Sequence, residues 1–64
     1  MILDRHQLAQ SKIELLEKGL SAYTDSAEVA RLVKREIRKK NMDVLEETTP
    51  IGSWFIPKKV QNLT

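Results

Sequence analysis

The side chains best suited to chemistry are the cations of residues 31–40, which read RLVKREIRKK. This segment holds six Lys or Arg residues against the single Glu36, a net charge of +5, whereas the whole chain of 64 residues carries +2. On a helix, with roughly 100° between residues, these cations gather on a stripe of about a quarter of the circumference. Its members are Arg31, Lys34, Arg35 and Arg38, with Lys39 beside them. Grouped cations neutralise phosphates, so the stripe predicts a nucleic-acid-binding surface with salt-dependent affinity.

Two other interpretations of the basic segment stay open. Lys and Arg favour helices, so the stripe is also consistent with a merely solvated helix face. Attraction to an acidic protein partner is the second alternative. A solvated face usually mixes charges of both signs, as residues 12–18 do with Lys12, Glu14, Glu17 and Lys18. The segment 31–40 lacks that mixture, which favours nucleic acid, and DNA in particular.

The other polar residues form no recognisable catalytic motif. A general acid and base need a shaped, partly dry pocket, which so short a chain scarcely builds. His6 is the single histidine and is expected at the surface, and there is no cysteine to complete a metal site. Gly19 and Gly52 are the only glycines, so there is no glycine-rich phosphate loop. We expect a protein that is not an enzyme and has no cofactor, metal or small-molecule substrate.

Length and composition predict one small domain over residues 1–59, followed by a flexible tail at residues 60–64. Leu, Ile, Val and Phe supply 18 of the 64 residues, enough to favour folding over disorder. No apolar run approaches the roughly 18 residues of a membrane span. The start of the chain carries Asp4 and Arg5 instead of an apolar signal core. These features predict a cytoplasmic protein without a membrane partner.

Apolar spacing predicts two helices. Asp4 and Gln7 resemble a capping box that starts the first helix at about residue 5, and Gly19 favours an end between residues 18 and 23. One face of this helix is apolar and consists of Ile2, Ala9, Ile13, Leu16, Leu20 and Tyr23. Leu8 and Leu15 lie beside this face and widen it. The second helix follows a capping box at Asp25 and Glu28, with Ala30, Val33 and Ile37 on its apolar face. The short connection predicts antiparallel neighbours, either a two-helix hairpin or a helix-turn-helix pair.

The C-terminal third predicts a short β-hairpin. Thr49-Pro50-Ile51-Gly52 has proline and glycine at the second and fourth positions of a type I turn. Short apolar runs flank this turn, so strands of about four residues are expected on either side. The whole fold is therefore expected to be mainly α, a two-helix hairpin with a short C-terminal β-hairpin.

The sequence from Ile51 to Lys58, IGSWFIPK, resembles the wing of small winged helix-turn-helix regulators of the excisionase type. The resemblance covers about eight residues, an isoleucine-glycine turn followed by an aromatic residue, an aliphatic residue, a proline and a cation. It implies that the preceding helix enters the major groove, with base and phosphate contacts from Arg31, Lys34, Arg35 and Arg38. It also implies that Lys58 and Lys59 of the wing contact the neighbouring backbone.

Two functions are therefore expected from the sequence. The first is a small non-enzymatic regulatory protein that binds DNA, acts in transcription regulation, and forms a dimer through Ile13, Leu16 and Leu20 of the first helix. The alternative is a helical-hairpin inhibitor or adaptor acting through protein-protein interaction with a kinase, polymerase or repressor. Its partner-binding residues would be Leu8, Leu15 and Trp54, since exposed apolar side chains anchor such interfaces.

Overall fold

The computed structural model describes residues 4–58. Ile2, Lys59 and the predicted tail at residues 60–64 lie outside the described residues. The chain forms two helices and three strands in the order α1 (Arg5–Glu17), β1 (Ala22–Thr24), α2 (Ala27–Lys39), β2 (Val44–Thr49) and β3 (Gly52–Pro57). This is an α+β fold, so the expectation of a mainly α protein is wrong.

The three strands form one antiparallel sheet in the order β1-β3-β2. β2 and β3 pair from Val44 opposite Pro57 to Thr49 opposite Gly52, which confirms the predicted hairpin and extends each strand to six residues. β1 adds to the other side of β3, with Ala22 opposite Phe55 and Thr24 opposite Ser53. The expected hairpin is thus two strands of a larger sheet.

β1 also changes how the helices meet. The chain leaves α1, returns along β1 and then enters α2, so the two helices run in the same direction. Arg5 Nε lies 2.7 Å from Glu28 Oε1 where the helices begin, and Lys40 Nζ lies 3.2 Å from Glu17 Oε2 where they end. The predicted antiparallel pair, whether hairpin or helix-turn-helix, is therefore wrong, because a strand and not a turn joins the helices.

The first helix ends in a left-handed residue. Gly19 has φ of +85°, and the Leu20 amide donates to the Leu15 carbonyl oxygen at 2.9 Å, so the glycine follows the last turn. Asp4 occupies the N-cap position that the sequence predicts, but its side chain caps no backbone amide among the described residues. The predicted start at residue 5 is confirmed, but the helix ends at Glu17, just before the predicted range of 18–23. Leu20 and Tyr23, expected on its apolar face, therefore lie outside the helix.

The second helix starts at a serine cap. Ser26 Oγ accepts from the Val29 amide at 3.2 Å, one residue after the Asp25 cap that the sequence predicts. Thr24 Oγ1 in turn accepts from the Ser26 amide at 3.1 Å, which ties the end of β1 to this cap. At the other end, Asn41 adopts a φ of 57° and reverses the chain toward β2. These caps define the length of the basic helix.

The core lies between the two helices and the inner face of the sheet. Phe55, Ile13 and Val33 have no exposed surface, and they pack with five further residues: Ala9, Leu16, Ala22, Val29 and Ala30. Both helices cover the same face of the sheet, because Phe55 and its neighbour Ala22 point toward them. The opposite face of the sheet is left open.

Candidate nucleic-acid interface

The predicted basic stripe lies on the exposed side of α2. Val29, Ala30 and Val33 bury the other side of this helix in the core. The five residues of the stripe are all exposed: Arg31, Lys34, Arg35, Arg38 and Lys39. Lys40 at the C-cap is exposed as well. Arg38 and Lys39 also occupy the last turn, where cations offset the negative end of the helix dipole.

The lysines of this stripe have acidic partners within the protein. Lys34 Nζ lies 3.5 Å from Glu46 Oε2 on β2, and Lys39 Nζ lies 3.6 Å from Glu36 Oε2 on its own helix. Exposed pairs of this kind contribute about 0–1 kcal/mol each, so a stronger anion can replace the carboxylate at little cost. The lysines are therefore partly neutralised without being withdrawn from solvent.

The three arginines differ from the lysines. In the part of the chain that the structure describes, Arg31, Arg35 and Arg38 have no carboxylate within ion-pair distance. Their positions on α2 cover about 10 Å along the axis, at about 1.5 Å per residue. We call Arg31, Arg35 and Arg38 the arginine ridge. Arginine presents its donors in a planar fork that suits phosphate, so the ridge is a surface ready for an anion.

The hairpin contributes less positive charge than the predicted wing. Lys58 lies at its base, where its Nζ is 3.6 Å from Asp43 Oδ1 and its amide donates to the Asp43 carbonyl oxygen at 2.9 Å. Glu46 and Glu47 lie along β2, and the turn at Pro50 and Ile51 carries no charge. The second predicted wing cation, Lys59, lies outside the described residues. The hairpin tip is therefore a poor surface for a phosphate backbone.

The predicted partner-binding residues are not brought together on one surface. Leu8 and Leu15 are half-buried and pack against the core, whereas Trp54 is 42% exposed on the open face of the sheet. A dimer interface was expected at Ile13, Leu16 and Leu20. Ile13 and Leu16 are buried in the core, and Leu20 is the exposed one of the three.

Sequence reasoning missed an apolar surface around Trp54. Tyr23 of β1 lies opposite Trp54, and their ring centroids are 5.0 Å apart. Because side chains alternate along a strand, Ile56 of β3 and Leu45 of β2 share this face. We call Tyr23, Leu45, Trp54 and Ile56 the open-face patch. The alternation of side chains along β2 and β3 could be recognised in the sequence. Tyr23 belongs to the patch only because β1 pairs with β3, which the sequence did not predict.

His6 borders a cleft between the two helices. Its Nδ1 lies 3.7 Å from Asp4 Oδ1, and the cleft also contains Arg35 and Lys39. Within residues 4–58, no three His, Asp or Glu side chains are grouped so that they could hold a metal ion. The helices described there are also too short and too polar to cross a membrane.

Comparison with known proteins gives a family. Residues 1–56 match the family model described as YtzJ protein, which covers both helices, β1, β2 and most of β3. The uncharacterized protein YtzJ of Bacillus subtilis (strain 168) is 41% identical over 51 residues, which is 80% of this chain and 81% of that relative. No solved structure matches the chain.

Proposed function

This chain belongs to the YtzJ protein family, and we propose that it is a small non-enzymatic regulatory protein that binds DNA through α2. The observation that carries the proposal is the arginine ridge, three exposed guanidinium groups on one helix face without acidic partners among residues 4–58. Uncompensated charge on one rigid element is the usual footprint of phosphate binding.

The dimensions of the ridge suit a phosphate backbone. Arg31 and Arg38 are about 10 Å apart along the helix axis. B-DNA carries one phosphate per about 3.4 Å of axis on each strand, so up to three phosphates lie within reach. α2 is also narrow enough to approach the major groove, which is about 12 Å wide. Lys34 and Lys39 can contact these same phosphates when phosphate replaces Glu46 and Glu36.

The proposed interface is confined to α2 and the base of the hairpin. Lys58 can reach a phosphate only by leaving Asp43, and Glu46 and Glu47 repel a backbone that runs along β2. Sequence-independent binding to phosphates is therefore the main component, since side chains of the ridge contact the backbone before any base edge. Such a protein regulates by occupying DNA.

The ridge is tested by reversing its charge. Arg35→Glu with Arg38→Glu should leave the fold intact, since both side chains are exposed, and should abolish DNA binding measured by fluorescence anisotropy. Wild-type protein with three phosphate contacts should show a slope of about −2.7 in log K against log salt concentration. Between 50 and 200 mM salt, this slope corresponds to a loss of about 40-fold in affinity.

The matched control reverses two cations elsewhere. Lys12→Glu with Lys18→Glu makes the same change in net charge on α1, away from the ridge. This control should bind DNA with a modestly lower affinity and an almost unchanged salt slope. If both double variants lose affinity equally, the binding depends on net charge alone and the assignment to α2 is wrong.

A second candidate function is favoured by the open-face patch. Trp54 and Leu45 are 42% and 50% exposed beside Tyr23. Among the strand residues that the structure describes on this face, the charged one is Glu47, opposite Trp54. The patch therefore fits a protein partner that presents an apolar anchor next to a Lys or Arg residue. A large, rigid aromatic side chain such as Trp54 is the typical anchor of such contacts.

This candidate predicts loss of the partner in two separate variants. A protein captured from a cell extract should be lost with Trp54→Ala, by about 2 kcal/mol or more, and also with Glu47→Lys. Thr48→Ala, on the other face of β2, should retain it. Capture that survives Glu47→Lys would contradict a basic partner, and concentration-dependent dimerisation lost with Trp54→Ala would assign the patch to a second copy instead.

A further inference from the structure

A cleft of about 240 Å³ separates α1 from α2 next to the arginine ridge. Ala9 and Leu32 contribute the apolar part of its lining. Four side chains with N–H donors surround it, two from each helix: His6, Gln10, Arg35 and Lys39. It is smaller than the roughly 300 Å³ at which small-molecule sites begin, so a small anionic group suits it better than a metabolite.

The charges around the cleft favour an anion. Glu36 is the only carboxylate that lines it, and its Oε2 lies 3.6 Å from Lys39 Nζ, so these two charges largely offset each other. Arg35 remains without an acidic partner in the described part of the chain. Asp4 faces His6 from the outer side, with its Oδ1 3.7 Å from Nδ1. Arg35 and Lys39 against Glu36 thus leave the lining of the cleft with a net charge of about +1, and Asp4 lies outside that lining.

We infer that this cleft seats one backbone phosphate of bound nucleic acid, with Arg35 shared between the cleft and the arginine ridge. The inference rests on the proposed function and extends its footprint from α2 onto α1. Arg35 supplies positive charge to the phosphate, and His6 and Gln10 of α1 each supply an N–H donor. Removal of these two donors should therefore weaken DNA binding.

The test measures the DNA affinity of variants that lack the α1 donors. His6→Ala with Gln10→Ala should weaken DNA binding by about ten-fold or more, because the phosphate loses two hydrogen bonds. Gln7→Ala removes an exposed side chain of α1 that does not line the cleft, and this control should bind DNA as the wild type does.

The possible failures are separable. If His6→Ala with Gln10→Ala binds DNA as tightly as the wild type, the phosphate seat is wrong while the DNA-binding function stands. If the wild type binds no DNA, the proposed function fails, and titration with inorganic phosphate then decides about the cleft. A shift of the His6 imidazole proton resonances that is lost in Gln10→Ala supports an anion seat, and the absence of any shift overturns it.

Discussion

Gly52 of the hairpin lies next to the side chain of Tyr23 on β1. The Tyr23 hydroxyl donates to the Ile51 carbonyl oxygen at 2.9 Å, and the ring lies directly over Gly52. A Cβ at residue 52 would come within 2.6 Å of Tyr23 Cζ and 2.7 Å of the Thr24 carbonyl oxygen. Residue 52 must therefore be glycine because there is no room for a Cβ. At residue 19 a Cβ would meet no described atom within 4 Å, and glycine is favoured there by the positive φ.

At this scale we predict that Gly52→Ala destabilises the protein by about 1–3 kcal/mol, because the added methyl group displaces the Tyr23 ring. Gly19→Ala should cost about 1–2 kcal/mol through backbone strain alone. Urea unfolding of both variants, each with and without Tyr23→Ala, distinguishes the two causes. Tyr23→Ala should reduce the cost of Gly52→Ala and leave that of Gly19→Ala unchanged. Equal coupling at both glycines would contradict the steric explanation.

At the scale of elements, the side chains of β3 point alternately to the two faces of the sheet. Phe55 points into the core and is completely buried, while its neighbour Trp54 points to the open face. β1 and β2 pair with β3 on its two edges, so this strand is the centre of the sheet. The two aromatic residues therefore have different roles although they are adjacent in sequence.

We predict that Phe55→Ala costs about 3–5 kcal/mol and leaves so short a chain largely unfolded, because it opens a cavity at the centre of the core. Trp54→Ala should cost less, about 1–2 kcal/mol, since the side chain is only partly buried and lies outside the core. Circular dichroism during thermal unfolding compares the two variants. A loss of structure in Trp54→Ala as large as in Phe55→Ala would place Trp54 in the core and remove it as a partner anchor.

The sequence predicted those elements whose signals lie within a short segment of the chain. Both helices and the hairpin were predicted because their apolar spacing, caps and turn residues lie within short segments. β1 was missed because Ala22-Tyr23-Thr24 is too short for a period and forms only where the edge of β3 is available. The basic stripe was predicted with its helix, but the pairs of Lys34 with Glu46 and of Lys40 with Glu17 were not, because the partners are distant in sequence.

The whole molecule is small and elongated, with extents of 42 × 25 × 20 Å. Its ion pairs are exposed, so each contributes about 0–1 kcal/mol and is screened by salt. Stability therefore depends mainly on the apolar core, whereas the proposed DNA binding depends mainly on charge. The two properties should respond differently to the same change in solvent.

At this scale we predict that raising NaCl from about 0.05 to 0.5 M changes the free energy of unfolding by less than about 1 kcal/mol. Over the same range, DNA affinity should fall by about 500-fold, from the slope expected for three phosphates. Urea titrations and anisotropy at matched salt concentrations provide the comparison. Strong destabilisation by salt would indicate that the ion pairs of Lys34 and Lys40 stabilise the fold, and Lys34 would then not be free to contact DNA.

Because both helices cover one side of the sheet, the arginine ridge and the open-face patch look away from each other. A duplex held against α2 leaves Trp54 and Leu45 directed outward, on the far side of the molecule. The two candidate functions therefore do not compete for surface. A chain that performed both proposed functions would bind nucleic acid on one side and a second protein on the other.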